Sequence, residues 1–199
     1  MITLVVHHRV RDYDVWKPVF DEHEGVRVSH GEAEHRIYRI LTDLNYLAIH
    51  NDFSSVEAAR GFMTDPSLPE AMERGGVEGE PGTGFLELTE RKVYVDGADG
   101  DPVILVVHHR VDDAAVWKPV FDEHETVRRS HGATEHRVFQ DPLEPNRIVV
   151  HVDFPAEAAA QAFATDPSLP EAMARGGVQG EPVPGFALLA ERKAYGGAT

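Results

Sequence analysis

The sequence predicts an α+β protein built from two tandem copies of a ferredoxin-like βαββα(α)β module. Two observations carry this prediction, an internal repeat and the order of elements within each copy. Residues 4–94 align with residues 105–195 without a gap, and 56 of the 91 positions are identical. A repeat of this length has the size of a domain and far exceeds a solenoid unit. We therefore predict a first module over residues 1–95, a linker over 96–102 and a second module over 103–199.

Hydrophobic periodicity predicts the first elements of the module. Residues 3–10 are rich in β-branched side chains and predict a strand. Residues 15–30 carry apolar side chains at intervals of three and four, which is typical of an amphipathic helix, and Gly31 is placed to end it. Residues 34–41 and 46–53 predict a hairpin of two strands, and the period-two alternation is clearest in the second copy.

Capping and turn residues predict the rest of the module. Ser54 and Glu57 have the spacing of a capping box that opens a second helix, and Ser67 begins a short third helix in the same way. Residues 85–93 predict the last strand. A sheet in this order has helices on one face only, so we expect the second copy to cover the other face.

The composition excludes several classes of partner. The chain has a net charge of -15 and a pI near 5.1, so we expect neither nucleic acid nor an anionic membrane as a partner. It has no cysteine, which excludes disulfides and thiolate sites. The apolar run of residues 2–6 is too short for a secretion signal or a membrane span. We expect a cytoplasmic protein that binds a neutral or weakly charged small molecule and leave further homodimerisation open.

Three motifs connect the repeat to a known superfamily. They are V-H-H-R-V, W-K-P-V-F-D-E-H, and D-P-S-L-P-E-A-M followed by R-G-G-V. With these motifs the chain resembles the dimeric α+β barrel proteins, which include antibiotic biosynthesis monooxygenases, small polyketide cyclase-like proteins, muconolactone isomerase and haem-degrading monooxygenases. The resemblance covers almost all of each half and implies two modules that usually meet as separate chains. Here they are fused, which implies an intramolecular pseudo-dimeric α+β barrel with a ligand cavity.

Strand pairing predicts a cluster of polar side chains on the face away from the helices. If the hairpin turn centres on Leu44, then Tyr38 faces His50 and Arg36 faces Asp52. A histidine beside a carboxylate acts as a general base, a phenol donates a proton, and a guanidinium holds an enolate or carboxylate. We therefore predict this cluster to be catalytic. The alternative is a structural role, in which the strand histidines are buried and hydrogen-bonded to their neighbours.

The first strand adds one histidine to this cluster. His7 and His8 are adjacent and must point to opposite faces, and we expect His7, with Arg9, to lie beside the cluster. Phe139 replaces Tyr38 in the second copy, so we predict the first half to be the working one. The remaining predicted catalytic residues are His108, Arg137, His151 and Asp153, and the predicted substrate contacts are Arg9, Arg110, Trp16, Trp117 and Phe139, the two tryptophans having core packing as the alternative.

A second set of histidines lies along the first predicted helix. His23 and His30, with their counterparts His124 and His131, could bind a divalent metal together with Glu22 or a strand histidine. The spacing is not a recognised ligand signature, and helix-edge histidines that cap the core explain it as well. We expect no cofactor, with a divalent metal or haem as the alternative.

These observations lead to three hypotheses about function. The first is a small enzyme of secondary metabolism that binds an apolar, polyketide-like or polycyclic substrate in the barrel. It would perform acid/base chemistry, namely cyclisation, isomerisation or cofactor-independent oxygenation. The second is a protein that binds a metabolite without turnover, and the third is a metal- or haem-dependent protein built on the histidines.

Overall fold

The computed structural model describes residues 1–95 and 102–196. The predicted linker, 96–102, lies outside the described residues except for Pro102. The elements are β1 Ile2–Val10, α1 Tyr13–Glu22, α2 Glu24–Ser29, β2 Glu32–Ile40, β3 Asp43–Phe53, α3 Val56–Met63, α4 Leu68–Arg74, β4 Val77–Val93, β5 Val103–Arg110, α5 Ala114–Glu123, α6 Glu125–Ser130, β6 Glu135–Gln140, β7 Arg147–Phe154, α7 Glu157–Ala164, α8 Leu169–Arg175 and β8 Pro184–Ala194.

The chain forms two compact units whose boundaries lie inside strands. Unit 1 contains Met1–Leu86 and Leu189–Thr199, and unit 2 contains Glu87–Leu188. The unit boundaries therefore divide β4 and β8, and each unit includes the end of a strand that begins in the other sequence repeat. The module boundaries that the repeat predicts, 1–95 and 103–199, stay a prediction about the sequence.

The sheet of unit 1 has the strand order β4-β1-β3-β2-β8, with only the first part of β4 and the last part of β8. Its neighbouring strands β1, β3 and β2 are antiparallel. The helices α1 to α4 cover one face, where two apolar clusters form the core. One is built around Trp16, Ile37 and Leu47, and the other around Phe53 and Phe62. None of the helices in the described residues is long and apolar enough to cross a membrane.

The hairpin of β2 and β3 corrects the predicted strand pairing. Arg36 pairs with His50 and Tyr38 pairs with Ala48, whereas a turn centred on Leu44 would have paired them two residues further along β3. The cause is a tighter turn with a bulge at the end of β2, which moves the centre of the hairpin one residue earlier. A shift of two residues keeps every side chain on its predicted face.

The first predicted helix is two helices. α1 begins two residues earlier than predicted because the side chain of Asp12 accepts a hydrogen bond from the backbone N–H of Asp14 at 2.8 Å. The helix ends at Glu22, and His23 separates it from α2. Gly31 ends α2 as predicted, with φ of +89°, a value that glycine adopts readily. The next helix, α3, is capped by Ser55 rather than Ser54.

Unit 2 repeats this arrangement, with strand order β8-β5-β7-β6-β4. One difference concerns the last strand of each repeat. β4 begins at Val77, whereas β8 begins only at Pro184, the residue that replaces Thr83. A proline donates no hydrogen bond to a strand ladder and is favoured at the first position of a strand, where Pro184 lies in β8.

Candidate functional site

Each unit contains a cavity between its sheet and its helices. The cavity of unit 1 has a volume of about 350 Å³ and that of unit 2 about 110 Å³. The larger cavity is lined by residues of β1, β3 and β4 on the side of the sheet and by residues of all four helices on the other side. The lining residues are Leu4, Val6, His8, Trp16, Val19, Phe20, His23, Arg27, Ile49, Asn51, Phe62, Met63, Leu68, Ala71, Met72, Val77, Glu80, Pro81 and Thr83. A mainly apolar wall with a few polar groups is typical of small-molecule sites.

His8 is the first of these polar groups. Its side chain is only 9% exposed, its ring centroid lies 5.8 Å from that of Trp16, and neither ring nitrogen has a hydrogen-bond partner. Burial, together with repulsion from His7, lowers the pKa of His8 to about 4. The imidazole is therefore neutral at pH 7 and offers a ligand one N–H donor and one nitrogen acceptor.

Asn51 is the second polar group. It is 2% exposed, and its Oδ1 atom has no hydrogen-bond partner. Asn51 lies on the same face of the sheet as Leu4, its partner on β1. In unit 2 the equivalent lining residue is Val152, which has no polar atom in its side chain. An unsatisfied buried amide is costly, so its presence in only one of the two cavities points to a ligand contact.

The two helix-edge histidines, predicted as alternative metal ligands, bind side chains of the segment before α4. His23 Nε2 lies 2.7 Å from Ser67 Oγ, and His30 Nε2 lies 2.9 Å from Asp65 Oδ2. Hydrogen bonds from Ser67 and His30 hold the pKa of the Asp65 carboxyl well below its usual range. His124 and His131 make the same contacts in unit 2, with Ser168 and Asp166.

These contacts hold α4 against the first two helices, and they occupy the Nε2 atoms. Within residues 1–95 and 102–196, no group of three or more His, Cys, Asp or Glu side chains has the arrangement of a metal site. Burial, with a contribution from Arg27, lowers the pKa of His23. Metal binding at these histidines stays a prediction without support from the geometry.

The structure brings the predicted polar cluster of unit 1 together, on the face of the sheet that points away from the cavity. Arg36 donates from Nη2 to both oxygens of Asp52, at 2.7 and 2.8 Å, and from Nη1 to Glu34 at 2.7 Å. Thr3 donates to Asp52 Oδ1 at 2.6 Å. Arg36 and Asp52 are both buried and form a hydrogen-bonded ion pair, and the Nε atom of Arg36 has no hydrogen-bond partner.

Other members of the predicted set lie around this pair. The rings of Tyr38 and His50 meet edge to face with centroids 5.0 Å apart, and His7 lies on their side of the sheet because His8 lies on the other. Unit 2 repeats the cluster, with Arg137 paired to Asp153 and with the ring centroids of Phe139 and His151 5.2 Å apart. His108 is the counterpart of His7 in unit 2, and burial lowers its pKa. None of these residues lines either cavity. Their catalytic role stays a prediction.

The predicted substrate contacts divide into two groups. Arg9 and Arg110 are exposed and pair with surface carboxylates, at 3.2 Å to Asp43 and 2.9 Å to Glu144 respectively, so the structure does not place them at a cavity. Trp16 and Trp117 line the cavities of units 1 and 2. Each stacks on a phenylalanine with ring centroids 4.8 Å apart. The tryptophans therefore serve both as core and as an aromatic wall.

His8 and Asn51 are not among the site residues predicted from the sequence. The available signal was their position, because both are polar residues on strand faces otherwise occupied by apolar core side chains. A buried polar side chain without a partner in such a row is a stronger indication of a ligand than a polar cluster whose charged groups pair with one another.

Comparisons with known proteins support the fold. No family model matches the sequence, and no curated protein matches it. Among solved structures, an anthrone oxidase-like protein is 12% identical with a TM-score of 0.69, covering 100% of this chain and 94% of its own. A candidate monooxygenase from Fusobacterium nucleatum is 9% identical with a TM-score of 0.66, covering 98% of this chain and 95% of its own. A ferredoxin-fold protein from Listeria monocytogenes, related to antibiotic biosynthesis monooxygenases, is 8% identical with a TM-score of 0.51, covering 96% and 95%.

These identities are low enough that the likeness concerns the fold alone. The chain has the fold of the dimeric α+β barrel proteins, and its duplication makes it a pseudo-dimer of two ferredoxin-like halves. The fold class that the sequence predicted is therefore confirmed.

Proposed function

We propose that this chain is a small-molecule enzyme whose site is the cavity of unit 1. The single observation that carries the proposal is His8, a neutral buried imidazole with two unpaired ring nitrogens in a mainly apolar cavity. The substrate class proposed is an apolar, polycyclic or polyketide-like molecule. The cavity volume of about 350 Å³ lies in the range of small-molecule sites.

In the proposed chemistry His8 is the general base. A neutral imidazole accepts a proton from a carbon next to a carbonyl group and leaves an enolate. The imidazolium then returns this proton to another atom of the substrate in a cyclisation or isomerisation. In a cofactor-independent oxygenation the enolate of a methylene carbon instead reacts with O₂, and the proton on the imidazolium completes a hydroperoxide. Loss of the second hydrogen of that carbon breaks the O–O bond, which leaves a carbonyl group in the product and releases water. The structural neighbours, an anthrone oxidase-like protein and a monooxygenase, favour oxygenation among the three reactions.

The surrounding side chains support this role of His8. Trp16 and Phe20 form a stacked aromatic wall, and apolar walls exclude water from a charged intermediate. In this proposal the pair of Arg36 and Asp52 stabilises the sheet, because its charged atoms already bind one another on the other face. The first half is the working half, as in the sequence-based hypothesis, because its cavity is the larger one and contains the additional amide.

The test is a turnover assay with matched variants. Oxygen consumption and product formation are measured with a panel of anthrones and related phenols, for the wild type, His8→Gln and His109→Gln. We expect His8→Gln to lower kcat/KM by about 100-fold or more, the usual contribution of a general base, while His109→Gln in unit 2 retains activity. A wild-type rate in His8→Gln would contradict the proposal.

A protein that binds its ligand without turnover is the second candidate. The observation that favours it is the pKa of His8, which at about 4 is low for a base that works at neutral pH. Saturable binding across the same panel, without product from any compound, would support this candidate against the first.

His8 could bind haem iron, but the cavity offers haem no unpaired cation for a propionate group. Arg27 is the lining residue that could hold a propionate, but its guanidinium is already bound. It donates to Glu32 Oε2 at 3.0 Å and to the carbonyl oxygen of Phe20 at 2.6 Å, and it lies 3.4 Å from the hydroxyl of Tyr195. We therefore derive no step through haem, and an absorption spectrum of the purified protein tests this alternative directly.

A further inference from the structure

We infer that the cavity of unit 1 takes an elongated, neutral and mostly apolar molecule with one hydrogen-bonding group at each end. This inference rests on the proposed function, since it concerns the ligand of the same cavity. The two ends are defined by His8 and Asn51, both more than nine-tenths buried, both lining the cavity and both with polar atoms that have no partner in the protein.

Strand register separates the two ends. His8 lies opposite Leu47 and Asn51 lies opposite Leu4, so they are four residues apart along the β1–β3 pair. At about 3.3 Å per residue this is roughly 13 Å. Val6 and Ile49 form the floor between them, and both are apolar. A compact ligand reaches one end and leaves the other unsatisfied, whereas an elongated one binds both.

The atoms at the two ends determine the groups of the ligand. Asn51 Oδ1 is an acceptor, so the ligand presents a hydroxyl or an N–H there. The neutral imidazole of His8 offers both a donor and an acceptor, which suits a hydroxyl or a carbonyl. Neither side chain is charged, and Arg27 already binds Glu32 and the carbonyl oxygen of Phe20. Glu80, the other charged lining residue, is exposed. A charged ligand group at either end would therefore be buried without a counter-ion. The ligand is therefore neutral.

Unit 2 lacks one of the two ends. Val152 occupies the position of Asn51, although His109 is kept at the position of His8. Its cavity is about 110 Å³, against about 350 Å³ in unit 1. The chain therefore takes one such ligand, and Asn51 is the residue that selects it.

The experiment compares three probes that share one ring system. 2,6-dihydroxyanthracene has a hydroxyl at each end of its long axis, 1,8-dihydroxyanthracene has both hydroxyls on one edge, and 2-hydroxyanthracene has one hydroxyl. Dissociation constants and stoichiometries are measured by fluorescence titration for the wild type, Asn51→Val and Val152→Asn, with thermal unfolding to verify that each variant is folded. Asn51→Val introduces the residue that unit 2 has at this place, and Val152→Asn makes the reciprocal change outside the proposed site.

We expect the wild type to bind one molecule of the 2,6-isomer per chain, about tenfold more tightly than either other probe, since one buried hydrogen bond to a neutral group contributes about 1 to 1.5 kcal/mol. Asn51→Val should lose this preference and bind the 2,6-isomer no better than 2-hydroxyanthracene, while Val152→Asn keeps it. Equal affinities in the wild type, a preference that persists in Asn51→Val, or no binding of any probe would each overturn the inference. If the preference is found but no compound is turned over, the enzyme proposal fails while this inference stands.

Discussion

His7 and His8 show how the sheet gives two identical neighbours different environments. They point to opposite faces, and only His8 lies among the helix-side core residues, where its ring meets that of Trp16. Burial then keeps His8 neutral, with a pKa of about 4. The same happens at His109, whose pKa burial also lowers to about 4. Keeping a buried histidine neutral lowers the free energy of unfolding at acid pH, and this effect can be measured.

The first prediction concerns stability at acid pH. Because the pKa of His8 is lower in the folded protein than its ordinary value of 6.5, the unfolded chain binds more protons between pH 6.5 and about 4. The stability that His8 contributes is therefore complete above pH 6.5 and is lost as the pH falls through this window. We expect His8→Gln to reduce the difference in unfolding free energy between pH 7 and pH 4.5 by about 2 kcal/mol, measured by urea denaturation.

The double variant of His8 and His109 provides the check on this prediction. It should lose about twice as much of the pH dependence, because the two histidines lie in different units and have the same depressed pKa. An unchanged pH dependence in both variants would mean that neither imidazole is held neutral by burial.

The second prediction concerns the buried ion pair. Asp52→Asn leaves the guanidinium of Arg36 buried with only part of its partner charge, so we expect a loss of about 3 to 5 kcal/mol in unfolding free energy. Glu22→Gln is the control, since Glu22 pairs with Arg74 at the surface and should change stability by less than about 1 kcal/mol. A fully stable Asp52→Asn variant that has lost turnover would return this cluster to the catalytic role predicted from the sequence.

At the scale of elements, the order of strands and helices could be predicted because each follows from local periodicity and turn residues. The break between α1 and α2 could not, since it occurs at His23, a residue with no breaking tendency, where backbone geometry leaves the helical range. The predicted register of the β2–β3 hairpin was wrong by two residues for a similar reason. A bulge beside Ile40 tightens the turn, and alternation of side chains does not change when a strand slips by two.

The third prediction concerns the end of α2. Gly31 has φ of +89°, so Gly31→Ala should lower the unfolding free energy by about 1 to 2 kcal/mol. Gly25 lies within the same helix, and a methyl group there meets no atom within 4 Å. Gly25→Ala should therefore raise stability by about 0.5 to 1 kcal/mol. Thermal or chemical unfolding of the two variants measures the contrast, and effects of the same sign would contradict this account of the helix terminus.

At the scale of the whole molecule, the duplication predicted two similar halves but not the exchange of strand ends between units. Tyr195, from the second repeat, completes unit 1, where its hydroxyl lies 2.9 Å from His35 Nδ1 and its backbone N–H donates to Ala33. Tyr94, from the first repeat, makes the same hydroxyl contact with His136 in unit 2. The location of the cavities could not be predicted from the sequence either, because it depends on the distance between the helices and the sheet.

The fourth prediction follows from this exchange. In a chain of residues 1–95, the end of β4 lacks its partner β6, which belongs to the second repeat. β2 likewise lacks its other partner, the end of β8. β2 and β6 are repeat counterparts, so two copies can supply each other's missing strand ends. We expect this half to form a homodimer in analytical ultracentrifugation and residues 1–86 to remain unfolded. A stably folded monomer of residues 1–95 would contradict the prediction.

The cavity of unit 1 as the ligand site is the claim on which the functional account depends, and the two tryptophans report on it directly. The chain has two tryptophans, Trp16 on the wall of that cavity and Trp117 on the wall of the smaller one. The measurement is the quenching of tryptophan fluorescence by 2,6-dihydroxyanthracene in Trp117→Phe, where Trp16 alone emits. We expect saturable quenching with one molecule per chain. Binding of the same compound without any change in Trp16 emission would contradict it.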